Sequence, residues 1–280
     1  MELFIHYDGK IMPANTPVVP AASRGFRYAD GLFETLRVVK GRLVLRDLHF
    51  GRLFHGLSVL KFQPGPHFTA AKLESDILRL CDKMSFTASA RIRLNITRGP
   101  GGLYDPESHH PHVVIEAWPL ELPRQLNENG LVVDIYEEAR KHYDVLANLK
   151  SNNYLPYVLA ALHVKENRLN DCLLLNTEGR ICDATIANVF WVKDGSIYTP
   201  PLTEGGIAGV MRQFLLQETA AGPHPIQEAP LTPELLATAD ELFLTNAIQG
   251  IKWVGQLRDT RYGNTMAAAL YQQYILPLWA

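Results

Sequence analysis

Apolar residues along this chain recur at two periods, and the change from one to the other marks its elements. Between Asp47 and Phe62, residues Leu48, Leu53, Phe54, Leu57 and Leu60 fall on or near one helical face, and Thr69 to Met84 repeats that spacing. Ala90-Arg91-Ile92-Arg93-Leu94-Asn95-Ile96 alternates strictly, the period of a half-buried strand, and His112-Val113-Val114-Ile115-Glu116-Ala117-Trp118 reads as a second strand. Phe4 to Tyr7 followed by Asp8-Gly9 predicts a strand entering a hairpin, because Asp-Gly tolerates the positive φ of a tight turn. These elements close a small N-terminal domain over residues 1–118.

Pro119 to Asn129 contains two prolines among polar residues and reads as an interdomain linker. Beyond it the pattern predicts strands at Gly130 to Ile135, Cys172 to Leu175, Val189 to Val192 and Glu241 to Leu244. Helices are predicted at Tyr154 to Glu166, Ile207 to Thr219 and Asn264 to Tyr274, giving a larger second domain over residues 130–280. Strands and helices mix without repeats or low-complexity tracts, so the expected fold class is α+β.

With 280 residues, 47% of them hydrophobic, the chain is long enough for one large or two medium cores. The net charge is −2 and its Lys and Arg are scattered, which argues against a nucleic-acid face or a polybasic membrane segment and for a small-molecule substrate. No apolar run reaches membrane-spanning length and the N-terminus lacks a signal-peptide pattern. Cys81, Cys172 and Cys182 have no metal-ligand spacing and are odd in number, so the expected setting is a reducing cytoplasm. His109-His110-Pro111-His112 reads as a loop around a proline, and no metal is expected.

Two stretches carry chemistry. In Asn148-Leu149-Lys150-Ser151-Asn152-Asn153-Tyr154 a lone lysine is bracketed by apolar and amide residues. In Ile181-Cys182-Asp183-Ala184-Thr185-Ile186-Ala187-Asn188-Val189-Phe190-Trp191 a lone carboxylate lies in an apolar run. A lysine amine condenses with an aldehyde only when neutral, a form that apolar burial favours. A carboxylate beside a pyridine nitrogen keeps it protonated, so the ring can accept electrons. Lys150 and Asp183 are therefore candidates for the two polar contacts a pyridoxal ring needs, although by themselves residues of these types are more often a solvated helix-start lysine and a turn aspartate.

From Tyr28-Ala29-Asp30-Gly31-Leu32-Phe33-Glu34-Thr35-Leu36-Arg37 through His49-Phe50-Gly51-Arg52-Leu53 to Gly209-Val210-Met211-Arg212, the sequence resembles class IV aminotransferases over nearly its whole length. These are the fold type IV pyridoxal-phosphate enzymes, among them branched-chain aminotransferases, D-amino-acid aminotransferases and 4-amino-4-deoxychorismate lyases. The resemblance implies a small N-terminal and a larger C-terminal α/β domain with pyridoxal 5'-phosphate between them, and a homodimer. It also implies that the lysine works on the re face of the cofactor. It makes Lys150 the Schiff-base lysine and proton carrier, and Arg52 the arginine that grips the phosphate, a task suited to a guanidinium fork. Asp183 takes the place of the family's ring-nitrogen glutamate and is one methylene shorter. Gly209-Val210-Met211-Arg212 stands where the family commonly has Gly-Ile-Thr-Arg, so a phosphate-binding hydroxyl is missing, while the amides of Val210 and Met211 remain donors. The second half of the phosphate cup falls on Thr245-Asn246-Ala247-Ile248, where Thr245 and Asn246 are either donors or a plain strand-end turn.

For the substrate, Thr97-Arg98-Gly99-Pro100-Gly101-Gly102-Leu103-Tyr104 resembles the family's active-site loop but lacks the Arg-x-His pair of D-amino-acid aminotransferases. Phe33 stands where those enzymes have a carboxylate-binding tyrosine, so a D-alanine enzyme is not expected. Arg98 and Tyr104 are the candidates for a substrate carboxylate, with Arg98 equally placed to pin its own loop. Tyr28, Asn153 and Thr35 either line the pocket near Lys150 or are structural. Arg98-Gly99-x-Gly101-Gly102, Ala187 to Trp191 and Gly209 to Phe214 lean toward the lyases. Amino-group transfer to a 2-oxo acid is the first expectation, release of pyruvate and 4-aminobenzoate the second, and a non-catalytic small-molecule binder a third.

Overall fold

The computed structural model describes residues 3–86, 88–121 and 125–280. It resolves into two compact units, Met1–Leu122 with Leu149–Asn153, and Pro123–Asn148 with Tyr154–Ala280. Of the linker expected at 119–129, residues 122–124 lie outside the described residues.

The first unit begins with strands β1 (Phe4–Tyr7) and β2 (Lys10–Pro13), paired antiparallel across Asp8 and Gly9. Those two residues have φ of 42° and 91°, the tight turn that the Asp-Gly step predicts. Then come helix α1 (Arg24–Tyr28), strands β3 (Gly31–Val39) and β4 (Arg42–Leu43), helices α2 (Arg46–Val59) and α3 (Ala70–Lys83), and strands β5 (Ser89–Arg98) and β6 (Pro111–Pro119). Among the described residues they form a six-stranded antiparallel sheet ordered β2-β1-β6-β5-β3-β4. Helix α3 starts where the Thr69 side chain accepts the Lys72 N–H at 3.2 Å, and it buries Leu73, Ile77, Leu80 and Cys81 along one stripe. With Phe50, Leu53 and Leu57 of α2 these close the core on Leu32, Leu36, Ile92 and Leu94.

β3 does not alternate, because it is buried along almost its whole length, and Glu34 and Arg37 interrupt its apolar run. A central strand keeps such charges only when they are paired, which is why hydrophobic spacing does not reveal it.

The second unit contains β7 (Leu131–Lys141), α4 (Leu155–Glu166), β8 (Asp171–Asn176), β9 (Ile181–Ala184), β10 (Asn188–Lys193) and β11 (Ser196–Thr199). It continues with α5 (Val210–Thr219), β12 (Ile226–Glu228), α6 (Pro233–Leu236), β13 (Glu241–Asn246), β14 (Gly250–Leu257), β15 (Thr260–Arg261) and α7 (Thr265–Leu270). Its sheet runs β12-β11-β10-β13-β14-β7-β8-β9, with β15 on β14, and mixes parallel and antiparallel pairs. Mixed helices and strands on two sheets make the fold α+β, as expected.

Several boundaries differ from the sequence reading. The strand expected to end at Ile135 runs on to Lys141, with its register on β8 shifting between Tyr136 and Arg140. The helix expected from Ile207 starts at Val210, because the Ile207 N–H is tied to the Asp183 carboxylate and its carbonyl to the Asn188 amide. The helix expected through Tyr274 changes at Tyr271 into a wider turn over Tyr271–Ile275. A domain boundary at 130 would also assign Lys150 to the second unit. Residues 149–153 instead pack within the first, where Leu149 enters the core and the Lys150 carbonyl accepts the Phe33 N–H at 2.9 Å. No described helix is long and apolar enough to cross a membrane.

Candidate functional site

In the first unit Lys150 is held by backbone. Besides the Phe33 bond, the Asn152 N–H donates to the Gly31 carbonyl at 3.0 Å and Ser151 bridges Leu32, so residues 150–152 run along the start of β3. Gly31 is required there, since a Cβ would overlap the Ile96 carbonyl and the Asn152 amide. The half-buried Lys150 side chain places Nζ 4.6 Å from the centroid of the Phe33 ring, and the Arg93 guanidinium lies 4.1 Å from the same centroid. Phe33 and Thr35 point to one side of β3, and Glu34 to the other.

On that other side Glu34 meets α2. Arg52 donates from Nε to Glu34 Oε1 at 2.8 Å and from Nη2 to Oε2 at 2.5 Å, while His49 Nδ1 lies 2.7 Å from Oε2. Glu34 and His49 are each 1% exposed. Arg52, then the His49 hydrogen bond, outweigh burial and hold the Glu34 carboxyl at about 2. Burial outweighs Glu34 at His49 and lowers its pKa, so the ring is neutral, donates from Nδ1 and leaves Nε2 as an acceptor.

Acid therefore costs stability in two windows. Below 6.5 the unfolded His49 takes up a proton that the folded ring resists, and from 4.5 toward about 2 the unfolded Glu34 does the same. The urea midpoint is expected to fall with pH across both windows, and Glu34→Gln to flatten the lower one; an unchanged slope there would refute the assignment.

Arg98, a candidate for the substrate carboxylate, is buried and consumed by its own surroundings. Its Nε donates to Asp30 at 2.9 Å and its Nη2 to the Leu60 carbonyl at 2.6 Å, and its guanidinium lies 4.3 Å from the Phe62 ring centroid. Arg24 donates to the same Asp30 carboxylate at 2.8 Å and to the carbonyls of Gly102 and Leu103. The structure thus favours the pinning role for Arg98. Tyr104, Tyr28 and Asn153 are exposed to solvent, and Arg24 lies over the Tyr28 ring at 5.3 Å.

In the second unit Asp183 is 2% exposed and surrounded by donors. Its Oδ2 accepts from Tyr157 Oη at 2.8 Å, the Ile207 N–H at 2.8 Å and Lys141 Nζ at 3.2 Å, and its Oδ1 accepts from Asn188 Nδ2 at 3.0 Å. Lys141 also donates to the Tyr157 hydroxyl. Burial, and then Asp183, push the Tyr157 phenol well above its usual range, so it stays a donor. Oδ1 takes a single donor among the described residues, which leaves it capacity for a ring N–H.

Asn188 also touches the start of α5, since a Cβ on Gly209 would overlap its Oδ1. Val210 and Met211 form the first turn there, so their amides have no earlier helical carbonyl to bond. Thr245 on β13 pairs with Asn188 across the sheet, and its buried hydroxyl has no hydrogen-bond partner among the described residues. An orphaned hydroxyl near a helix N-terminus fits a phosphate. The Asn246 side chain is already used, because its Oδ1 accepts the Ile248 N–H at 3.0 Å and the Gln249 N–H at 2.8 Å. That Asx turn shapes the loop and engages the Ile248 amide; Ala247 is half-buried within it.

Sequence reasoning missed Glu34, His49, Lys141 and Tyr157. The first two lie inside stretches already singled out, where a charged residue in a strand and a histidine one turn before Arg52 were the available signal. Lys141 and Tyr157 stand 42 and 26 residues from Asp183, and no spacing rule links them to it.

The first unit offers an amine and an arginine, and the second a buried carboxylate with fixed donors and a helix N-terminus. No group of three described His, Cys, Asp or Glu could hold a metal ion. Among known proteins, the chain is 32% identical to an aminodeoxychorismate lyase of Vibrio harveyi over 83% of this chain and 85% of that protein. It is 31% identical to a putative branched-chain-amino-acid aminotransferase of Methanocaldococcus jannaschii over 86% of this chain and 83% of that protein. The structure of 4-amino-4-deoxychorismate lyase from Pseudomonas aeruginosa superposes with a TM-score of 0.82 at 28% identity, covering 96% of this chain and 99% of that one. The family described as amino-transferase class IV matches residues 31–256, and this chain is an enzyme belonging to it.

Proposed function

We propose that the chain binds pyridoxal 5'-phosphate and uses it to cleave 4-amino-4-deoxychorismate to pyruvate and 4-aminobenzoate. When bound, the cofactor supplies an aldehyde and an electron-accepting ring. Lys150 provides the amine for attachment and then moves the proton at the substrate carbon. Arg52 takes phosphate charge, with the Val210 and Met211 amides and the Thr245 hydroxyl as further donors. Asp183, held by the Lys141, Tyr157 and Asn188 donors, offers its carboxylate to the ring nitrogen.

The observation that carries the lyase reading is the identity to the Vibrio lyase across most of both chains, joined to Arg98-Gly99-x-Gly101-Gly102. The missing hydroxyl at Phe33 and the lack of an Arg-x-His pair count against a D-amino-acid enzyme. Amino-group transfer, the first expectation from sequence, is the second reading and draws on the Methanocaldococcus relative. Protein loaded with pyridoxal phosphate is given the deoxychorismate and, separately, amino acids. Pyruvate and 4-aminobenzoate with the visible band intact support the lyase; bleaching by an amino acid supports transfer; neither result refutes both.

The proposed assembly is a homodimer. On α4, Leu155, Val158, Leu159 and Leu162 follow the i, i+3, i+4, i+7 stripe, yet each is between 46% and 68% exposed. Such a stripe in water suits a second copy. Leu155→Asp with Leu159→Asp is expected to give a monomer by sedimentation, and a wild-type monomer at micromolar concentration would refute the dimer.

A further inference from the structure

We propose that Glu34 is a positioning residue that sets the orientation in which Arg52 meets the cofactor phosphate; this rests on the cofactor reading above. An arginine on an exposed helix face samples many rotamers, and its fork gains specificity only when its plane is fixed. Here the plane is fixed by two parallel bonds, Nε to Oε1 at 2.8 Å and Nη2 to Oε2 at 2.5 Å, from a side chain that is 11% exposed. The Glu34 carboxylate is itself held, since it belongs to a buried strand and is bonded from another direction by His49 Nδ1 at 2.7 Å. His49 and Arg52 stand three residues apart on α2, so one strand carboxylate aligns two side chains of one helix face. Whatever else the guanidinium touches, its Nε/Nη2 edge is committed to Glu34, and its orientation toward an anion follows.

A tie that merely joins α2 to β3 would show the same bonds, and the phosphate separates the two roles. Affinities for pyridoxal phosphate and for pyridoxal, which lacks the phosphate, are measured on wild type and on Glu34→Asp. That substitution keeps the charge but is too short for the two-point fork. The expected result is about tenfold weaker binding of pyridoxal phosphate and less than about twofold change for pyridoxal. In an Arg52→Gln background the same substitution is expected to add less than about twofold for either ligand. Thermal melting verifies folding, and Glu34→Gln serves as a second variant. Equal losses for both ligands, no loss in folded protein, or a full further loss without Arg52 would overturn the role of Glu34. No visible band in wild type would overturn the cofactor reading and this proposal with it, whereas a wild-type band without phosphate-selective loss overturns this proposal only.

Discussion

Replacing Lys150 by alanine is expected to abolish the visible band formed with pyridoxal phosphate and to lower turnover by at least about a thousandfold, because nucleophile and proton carrier are lost together. The fold should barely notice. Lys150 is half-buried and its place along β3 is fixed by the main-chain bond from the Phe33 N–H to its carbonyl, which alanine keeps. The expected stability change is within about 0.5 kcal/mol, as for substitutions away from packed features. Loss of function without loss of melting temperature is the signature sought. Retention of the band in the variant would move the covalent role to another lysine; Lys141, bonded to Asp183 and Tyr157, would then be examined next.

Removal of Asp183 is expected to do the reverse and damage the fold as well as the chemistry. Asp183→Ala leaves the buried Lys141 ammonium without its carboxylate, and strips an acceptor from Tyr157, Asn188 and the Ile207 N–H. Breaking a buried ion pair from one side costs about 3–5 kcal/mol, chiefly from the charge left behind. Adding Lys141→Met removes that charge and should recover most of the lost stability, while cofactor binding and turnover stay impaired. Urea unfolding of the two single variants and the double variant measures the coupling. If Asp183→Ala unfolds within about 1 kcal/mol of wild type, Lys141 does not depend on it and the electrostatic account of this cluster is wrong.

These two outcomes separate what was legible in the sequence from what was not. Helices α2 and α3 and strands β5 and β6 were readable, because each has one buried and one more open face and so repeats at its own period. β3 was not, since it is buried almost throughout, Glu34 is paired with Arg52 and Arg37 donates to the Glu121 carbonyl, partners that lie distant in the chain. Lys150 and Asp183 were candidates from their chemistry and, with Arg52, from the resemblance. The arginine of Arg98-Gly99 could not be assigned until Asp30 and the Leu60 carbonyl were found on it.

By itself the sequence determined the α+β class, the family and the residue types able to hold and use an aldehyde cofactor, for periodicity and short motifs are local properties of a chain. Tertiary structure alone decided which side chains share a charge or a proton. Glu34 with His49 and Arg52, and Asp183 with Lys141 and Tyr157, are joined over 15 to 42 residues. Buried charges exist only as satisfied sets, and such a set is written in space, not in spacing.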